Sequence, residues 1–345
     1  MKKIGVGIIG SGGIAQAVHI PGYQKLENVE VLAVADANPA VAEAAATKFN
    51  IPHRFTDYLQ MLEMPEIQVV SVCTPNYLHR DATIAACKAG KHVLCEKPIA
   101  MNAKEGREMV EAARANKVKF TVGYNQRCTK EAIAIKKFVD DGLLGEVYYA
   151  RAQALRRRGI PGWGVFTQKD KQGGGPLIDI GVHILDLTLY LMGHPKPVSV
   201  SGMACAKFGP REGVLGLMGQ WDPKTFTVED FAVGLVKFEN GAALCLESSF
   251  CANIEKDVMD TTLLGTNGGA SVFPPTIMRE ESGALTVSHI TSLRDIQSHG
   301  ENIRRFIQAI VDDTEPLVTG EQALMVAEII DAIYESQETG KEVRL

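Results

Sequence analysis

Three glycines follow a short apolar run near the N-terminus and have the spacing of a phosphate-binding turn. The run Ile4–Ile9 is followed by Gly10-Ser11-Gly12-Gly13-Ile14-Ala15, which reads G-x-G-x-x-A. Between a strand and a helix, such glycines permit a tight turn and let the backbone approach a pyrophosphate at the helix N-terminus. Asp36 ends the next apolar run, 24 residues after Gly12, where a carboxylate can bind ribose hydroxyls. The pattern predicts a dinucleotide site that includes Gly10, Gly12, Gly13, Ile14 and Asp36; a helix-capping glycine run beside an ordinary surface Asp is the alternative.

Two further polar clusters follow apolar runs. They are Thr74-Pro75-Asn76-Tyr77-Leu78-His79 and Glu96-Lys97-Pro98. Because the carboxyl ends of parallel strands form the ligand crevice of a doubly wound sheet, both clusters are predicted to face the cofactor. The predicted contacts are Thr74, Asn76, His79, Glu96 and Lys97. A helix-capping His79 and a solvated Lys97 are the alternatives, and the Lys97-Pro98 bond is predicted to be cis.

A third group of polar residues lies on an apolar helix that Pro176 opens. At about 100° per residue, Asp179, His183, Asp186 and Tyr190 fall in a stripe about 60° wide. Burying acidic side chains around a histidine costs free energy unless a pocket uses them. Imidazole titrates near neutral pH, which suits a general base. A dipole-stabilising Asp179 and a core His183 are the alternatives.

The elements that must position these residues change character along the chain. The first third alternates apolar runs with helical patterns, as in βαβ units on a parallel sheet. The predicted strands are Ile4–Ile9, Val29–Ala35, Val69–Val72, His92–Cys95 and Lys119–Gly123, and the predicted helices are Ala40–Phe49, His79–Ala89 and Asn102–Asn116.

From about Tyr124 the pattern indicates a second domain. The predicted helices are Lys130–Asp140, Pro176–Met192, Asn302–Asp312 and Glu321–Glu338, with strands at Val147–Ala154 and Glu342–Leu345 and several more between them. Asn240-Gly241 and Asn267-Gly268 predict type I′ hairpins. We therefore expect an α/β Rossmann domain over residues 1–124, followed by an α+β domain over residues 125–345. The second domain is predicted to have an open, mostly antiparallel sheet with helices on one face. Its bare sheet face favours a homodimer or homotetramer.

Composition narrows the class of partner. The 345 residues are 46% hydrophobic and 22% charged, which excludes disorder for most of the chain. The net charge is −5 and the longest basic block is Arg156-Arg157-Arg158, so no nucleic-acid surface is expected. Seven cysteines without C-x-x-C spacing favour reduced thiols, a cytoplasmic location and no metal site. No segment is expected to span a membrane, and five glycines among the first thirteen residues argue against a signal peptide.

The four motifs, in this order and at these separations, resemble the glucose–fructose oxidoreductase/inositol dehydrogenase/rhizopine-catabolism (Gfo/Idh/MocA) family of NAD(P)-dependent oxidoreductases. The resemblance covers essentially the whole chain, with Ala15 in place of the third glycine as the one departure. It implies that Lys97, Asp179 and His183 form the catalytic site. Asn125, Arg156 and Trp163 are further candidates for contacts with substrate, beside Asp179 and His183.

The expected reaction is hydride transfer between NAD and a secondary hydroxyl of a sugar, polyol or inositol-like substrate. His183 is the predicted base, Lys97 stabilises the alkoxide, and Asp179 positions His183 or the substrate. NAD is preferred over NADP in this interpretation, because no positive charge follows Asp36 before Lys48. Two alternatives remain open: an NAD-dependent glycoside hydrolase with transient oxidation, and a cofactor-binding regulator without catalysis.

Overall fold

The computed structural model describes residues 3–345, which divide into two compact units. The first unit runs up to Asn125 and also includes Gln297–Leu324, and the second comprises Gln126–Ile296 and Met325–Leu345. The segment Gln297–Leu324 lies within the range that the sequence assigns to the second domain. Near the C-terminus, the chain therefore returns to the first unit at Gln297 and to the second unit at Met325.

The first 125 residues form a parallel sheet with helices between the strands. The strands are β1 (Ile4–Ile9), β2 (Val29–Ala35), β3 (His53–Phe55), β4 (Ile67–Val72), β5 (His92–Cys95) and β6 (Phe120–Val122), in the order β3-β2-β1-β4-β5-β6. After a π-helical turn at Ala15–His19, the helices are α1 (Ile20–Gln24), α2 (Pro39–Phe49), α3 (Tyr58–Leu62), α4 (His79–Lys88) and α5 (Ala103–Ala115). This is the predicted Rossmann arrangement. β3 and α3 were not predicted, and α1 was expected only as a helix after the glycine-rich turn, without bounds.

The middle of the chain builds a second sheet. Its helices are α6 (Lys130–Asp140), α7 (Lys169–Gln172) and α8 (Val182–Leu191), the last preceded by a π-helical turn at Leu177–Gly181. The strands are β7 (Val147–Leu155), β8 (Pro197–Cys205), β9 (Phe231–Phe238), β10 (Ala243–Ser249), β11 (Val258–Gly265), β12 (Gly269–Ser271), β13 (Thr276–Glu281) and β14 (Ala284–His289).

Two helices and a short strand close the chain: α9 (Ser298–Val311), α10 (Gly320–Thr339) and β15 (Val343–Arg344). The second sheet has the order β14-β13-β12-β11-β7-β10-β9-β8-β15. Its strand pairs are antiparallel except for β7 and β10, which confirms the predicted mostly antiparallel sheet.

Each unit has its own buried core. In the first unit, Ile303, Phe306 and Ile307 of α9 pack among strand residues such as Val6 and Ile8, which explains why α9 belongs to this unit. In the second unit, β7 buries alanines on the side that α8 contacts. Small side chains there let the helix lie close to the sheet.

Two local predictions were wrong in detail. The hairpins at Asn240-Gly241 and Asn267-Gly268 are confirmed, but the type I′ turns are not, because that turn needs positive φ at both central residues. Of these four residues only Gly241 has a positive φ, of 86°. The connections are also longer than two residues, since β9 ends at Phe238 and β10 begins at Ala243.

The backbone and the apolar segments add two findings. The predicted cis bond at Lys97-Pro98 is confirmed, and Phe273-Pro274 is also cis. One stretch among the described residues, Lys169–Leu191, is long and apolar enough to cross a membrane by length and composition alone. Of its most apolar window, 89% is buried inside the protein, as is usual for a core helix.

Candidate active site

In the glycine-rich turn after β1, Gly10 is packed against backbone atoms, whereas Gly12 and Gly13 face open space. Gly10 has a φ of 83°, and a Cβ there would lie 2.8 Å from the backbone carbonyl of Cys73, so no other residue fits. A Cβ at Gly12 or Gly13 would meet no atom within 4 Å. The backbone at Gly12 therefore faces open space that a ligand can approach.

That open space continues into a cavity at the carboxyl ends of β1, β2 and β4. Its volume is about 530 Å³. The lining residues are Ile9, Gly10, Gly12, Ala35, Asp36, Ala37, Thr56, Asp57, Tyr58, Cys73, Thr74, Pro75, Tyr77, Leu78, Asp81 and Ala82. Three of these are carboxylates, and none of the lining residues is a lysine or arginine.

Asp36 lies in this cavity and is held by two backbone amides. Ser11 N–H donates to Oδ2 at 3.0 Å, and Asn38 N–H donates to Oδ1 at 2.9 Å. A carboxylate has about four acceptor sites, so both oxygens retain capacity for ligand hydroxyls. The predicted ribose-binding residue is thus fixed beside the glycine-rich turn.

Thr74 supplies an unused polar group to the same cavity. Its side-chain hydroxyl is buried and has no hydrogen-bond partner among the described residues. Buried hydroxyls are normally satisfied, so Thr74 Oγ1 is suited to bond a ligand. Of the neighbouring candidates, Asn76 is buried in a 3-10 turn at Asn76–Leu78, and Ile14 is 37% exposed.

His79 lies behind the cavity and connects two strand ends. It is fully buried. Nδ1 lies 2.8 Å from the carbonyl oxygen of Pro98, and Nε2 lies 2.9 Å from that of Thr74. Burial lowers the pKa of His79, although both carbonyl contacts oppose that shift. The ring nitrogen that carries the proton donates to one of these carbonyls, so His79 lies where it helps to position Thr74 and the Lys97-Pro98 turn.

Glu96 is the centre of a buried polar cluster at the end of β5. Oε1 lies 2.7 Å from His19 Nε2, and His19 Nδ1 lies 3.1 Å from Ser71 Oγ. Tyr23 Oη lies 2.8 Å from the same Ser71 oxygen. The backbone N–H of Lys97 donates to Glu96 Oε2 at 3.2 Å. Glu96 thus links the predicted catalytic lysine to the π-helical turn that carries His19.

Basic groups around Glu96 keep it ionised. Burial alone would raise its pKa, but the hydrogen bond to His19 and the charges of His19, Lys97 and His299 lower it to about 2. Burial lowers the pKa of His299, which is close enough to interact with both Glu96 and Lys97. The Lys97 ammonium therefore interacts electrostatically with a buried carboxylate.

The second unit carries the other two predicted catalytic residues. Asp179 lies in the π-helical turn Leu177–Gly181 and is 6% exposed, and His183 lies in the first turn of α8 and is half-buried. Arg156 Nη1 lies 3.8 Å from Asp179 Oδ2 and donates to the carbonyl of Gly159 at 3.2 Å. Arg156, a candidate for substrate contact, is thus a basic neighbour of Asp179.

The other half of the predicted polar stripe has a different use. Asp186 accepts two hydrogen bonds from Arg127, at 2.9 and 2.6 Å, and both side chains are fully buried. The Arg127 guanidinium also lies 4.8 Å from the ring centre of Tyr190. The argument that a pocket uses the acids around His183 therefore does not hold for Asp186, because Arg127 neutralises that end of the helix.

The remaining two candidates lie in different settings. Asn125 is buried and its side-chain amide donates to Ser298 Oγ at 2.9 Å, at the start of α9. Trp163 is 54% exposed and contacts Phe166 edge to face, with ring centres 6.2 Å apart. Trp163 keeps an open ring face for a ligand, whereas the Asn125 amide is already engaged.

Sequence reasoning missed two residues that hold this machinery, His19 and Arg127. A histidine in an apolar stretch just after a glycine-rich turn is a readable signal, but its partner Glu96 is 77 positions away. Arg127 is paired across 59 positions and follows no motif.

The first unit fits a dinucleotide on three independent observations: the open backbone at Gly12, the fixed carboxylate of Asp36, and the unpaired hydroxyl of Thr74. Across residues 3–345, no group of three or more His, Cys, Asp and Glu side chains is arranged to hold a metal ion. All seven cysteines are free thiols.

Comparisons with known proteins cover nearly the whole chain. The profile of an oxidoreductase family with an NAD-binding Rossmann fold matches residues 4–124, and that of its C-terminal alpha/beta domain matches residues 136–345. D-glucoside 3-dehydrogenase of Escherichia coli (strain K12) is 38% identical over 341 residues, which span 99% of this chain and 97% of that protein.

A second curated relative and a solved structure agree. Levoglucosan dehydrogenase of Pseudarthrobacter phenanthrenivorans is 30% identical over 291 residues, spanning 78% of this chain and 73% of that protein. A structure of levoglucosan dehydrogenase with NADH and L-sorbose shares the fold, with a TM-score of 0.87 at 24% identity over 100% of this chain and 99% of that one. The chain belongs to the Gfo/Idh/MocA family of oxidoreductases.

Proposed function

We propose that the protein is an NAD-dependent dehydrogenase that oxidises one secondary hydroxyl of a glucose-like sugar or glycoside, or runs the reverse reduction. The observation that carries this proposal is the pair Asp179 and His183 on a buried apolar helix. The chain that bears them matches D-glucoside 3-dehydrogenase along 99% of its length.

Each proposed catalytic residue has one task. NAD held at the glycine-rich turn, Asp36 and Thr74 would supply the acceptor for the hydride of the carbinol carbon. His183 takes the hydroxyl proton, for which an imidazole near neutral pH is suited. Asp179, with Arg156 beside it, orients His183 or a neighbouring substrate hydroxyl. The Lys97 ammonium stabilises the negative charge that develops on the substrate oxygen.

The cavity at Asp36 supports a preference for NAD over NADP. The ribose hydroxyls of NAD can donate to Asp36, whereas the 2′-phosphate of NADP would bring a charge of about −2 against it. Asp57 and Asp81 line the same cavity, and no lysine or arginine is among its lining residues. The electrostatic potential there therefore opposes a further phosphate.

We also propose a homodimer or homotetramer that uses the outer face of the second sheet, in the cytoplasm and without nucleic-acid or membrane partners. On that face, Met203 and Leu235 are 44% and 40% exposed, and Leu264 is 38% exposed. Arg151 and Gln153 both donate to Glu247 on the same face. A face of this kind can self-associate through apolar contacts around a polar centre.

Leu235→Glu tests the assembly. It should shift the protein to a smaller species in analytical ultracentrifugation, because a carboxylate would be buried at the contact. Leu59→Glu, at an exposed site on α3 in the other unit, is the control and should not change the species. A wild-type monomer at assay concentrations would contradict the proposed assembly.

The test of activity is a panel of glucosides, levoglucosan, inositols and 3-keto sugars, assayed with NAD(H) and NADP(H) through the absorbance of the reduced cofactor. Substrate-dependent formation of NADH from at least one sugar is expected. Release of an aglycone without accumulation of NADH would instead establish the glycoside hydrolase alternative. Tight NAD binding without turnover on any sugar would overturn the proposal.

A further inference from the structure

Glu229 is a buried carboxylate that bonds to the start of the helix carrying Asp179 and His183. It precedes β9 and is 9% exposed. Oε2 accepts the N–H of Gly175 at 2.9 Å, and Oε1 accepts the N–H of Leu177 at 3.1 Å. Leu177 is the first residue of the π-helical turn, two positions before Asp179.

Tyr334 of α10 completes this cluster. Its hydroxyl donates to Glu229 Oε1 at 3.0 Å. All three groups around Glu229 are donors, which is the arrangement that an ionised carboxylate satisfies. Burial raises the pKa of Glu229, and the N–H groups of Gly175 and Leu177 oppose that shift.

The same cluster explains the glycines at 174 and 175. A Cβ at Gly174 would lie 2.0 Å from the Tyr334 hydroxyl oxygen, and a Cβ at Gly175 would lie 2.1 Å from the backbone oxygen of Glu229. Both positions must be glycine for Glu229 and Tyr334 to reach the helix start. The glycine-rich segment thus permits a contact within the protein.

A serine hydroxyl contacts a backbone carbonyl at this turn, whereas Glu229 contacts backbone N–H groups. Ser248 Oγ donates to the carbonyl oxygen of Pro176 at 2.8 Å. Glu229 accepts from two N–H groups and Ser248 donates to a carbonyl, so the backbone on both sides of Pro176 is fixed. Free N–H groups at a helix start are otherwise satisfied by a capping side chain, and Pro176 has none.

We propose that Glu229 is a positioning residue for the reaction: its carboxylate fixes the first turn of the catalytic helix and thereby the placement of Asp179 and His183. This inference rests on the proposed function of those two residues. Misplacement of a catalytic group by about 1 Å can lower a rate by about a hundredfold. Loss of the Glu229 carboxylate is therefore expected to reduce kcat while cofactor binding is retained.

Asp230 offers a matched control one position along the chain. It is fully buried, and its carboxylate accepts the backbone N–H groups of Lys207, Phe208 and Gly209. Asp230→Asn removes a buried carboxylate of the same kind but leaves the helix start untouched. A general loss of stability should therefore affect both variants, whereas misplacement of the helix should affect only Glu229→Gln.

The test compares Glu229→Gln, Tyr334→Phe and Asp230→Asn, well below the Tm of each variant. Glu229→Gln should lower kcat by at least about tenfold, with the Kd of NAD unchanged in calorimetry. Its primary deuterium isotope effect should rise, because a misplaced base makes hydride transfer more rate-limiting. Tyr334→Phe should lower kcat by less, since it keeps the carboxylate and both backbone bonds. Asp230→Asn should leave the isotope effect as in the wild type.

Amide hydrogen exchange gives a readout that does not depend on activity. Glu229→Gln should increase exchange in residues 175–183, and Asp230→Asn should increase it in residues 207–209 instead. Wild-type exchange and an unchanged isotope effect in Glu229→Gln would overturn the positioning role. If His183→Ala kept full turnover while Glu229→Gln lost it, the assignment of His183 would fail and the proposed role of Glu229 would fail with it. If amide hydrogen exchange in residues 175–183 of Glu229→Gln still increased in that case, Glu229 would have a structural role only.

Discussion

The two glycine-rich segments of this protein are followed by the same local structure but serve opposite purposes. Gly10–Gly13 and Gly173–Gly175 each precede a five-residue π-helical turn, Ala15–His19 in the first unit and Leu177–Gly181 in the second. A Cβ at Gly12 would meet nothing within 4 Å, whereas a Cβ at Gly175 would clash with backbone at 2.1 Å. The first segment leaves space for a ligand, whereas the second lets another part of the protein backbone approach closely.

The buried carboxylates that hold these turns differ in the same way. Glu96 is bonded to His19, a titratable side chain at the end of the first turn. Glu229 is bonded to backbone N–H groups at the start of the second. Similar glycine-rich segments can therefore mark a ligand site or a packing site, and only the neighbouring atoms distinguish them.

The largest effect should come from the catalytic side chains that the two segments help to place. His183→Ala and Lys97→Ala should each lower turnover by at least about a hundredfold, because proton transfer or alkoxide stabilisation is lost. The Kd of NAD should stay nearly unchanged, since neither residue binds the adenosine half. Steady-state kinetics and calorimetry measure the two quantities. Full turnover in either variant would remove that residue from the mechanism.

Gly12→Ala and Gly175→Ala test the comparison directly. Gly12→Ala should weaken NAD binding by at least about tenfold yet leave the free energy of unfolding unchanged or higher by about 0.4–1 kcal/mol. Gly175→Ala should lower that free energy by about 1–3 kcal/mol, because the methyl group is forced against the Glu229 backbone. Denaturant unfolding and NAD titration check both variants. A destabilised Gly12→Ala with wild-type NAD binding would reverse the assignment of the first segment.

Asp36→Ser asks whether charge selects the cofactor at the open segment. Removing this carboxylate should move the ratio of kcat/KM for NAD over NADP toward NADP by about tenfold, which corresponds to about 1.4 kcal/mol. Asp57→Asn and Asp81→Asn, at the same cavity, should have smaller effects because neither carboxylate is held by the glycine-rich turn. Equal use of both cofactors by the wild type would show that Asp36 does not contact the ribose.

Most elements could be predicted from the sequence because their burial leaves a periodic signal. β1 is a continuous apolar run and β2 is apolar except for the exposed Glu30 near its start, as expected for strands covered on both faces. β3 (His53–Phe55) and α3 (Tyr58–Leu62) have three and five residues and lack a sustained pattern. The membership of α9 in the first unit depends on packing of Ile303 and Phe306, which chain order cannot express.

The candidate site was predictable where a motif fixes local geometry and not where partners are distant. Gly10 and the Lys97-Pro98 turn are local features, and the structure shows the expected backbone at both. The ion pair of Arg127 and Asp186 joins residues far apart in sequence, so the role of Asp186 could not be read from its helix alone. Glu229 lies in no motif, and only its contacts reveal what it holds.

The smallest effect separates the two buried carboxylates by the pH dependence of stability. The pKa of Glu96 is lowered from 4.5 to about 2 in the folded protein, so its contribution is present above the unfolded value and is lost as pH falls. Between about pH 6 and pH 4 this loss should amount to about 1 kcal/mol, and Glu96→Gln should lack it in denaturant unfolding. The pKa of Glu229 is raised, so its contribution is lost as pH rises, and Glu229→Gln should keep the acid-side fall. His19, His299 and Lys97 surround Glu96 and also affect the pH dependence of stability. The difference between the pH profiles of Glu96→Gln and Glu229→Gln therefore isolates the effect of the Glu96 carboxylate better than the slope of either profile alone. If the unfolding free energies of both variants changed with pH in parallel, the titratable partners of Glu96 would not distinguish its contribution to stability from that of Glu229.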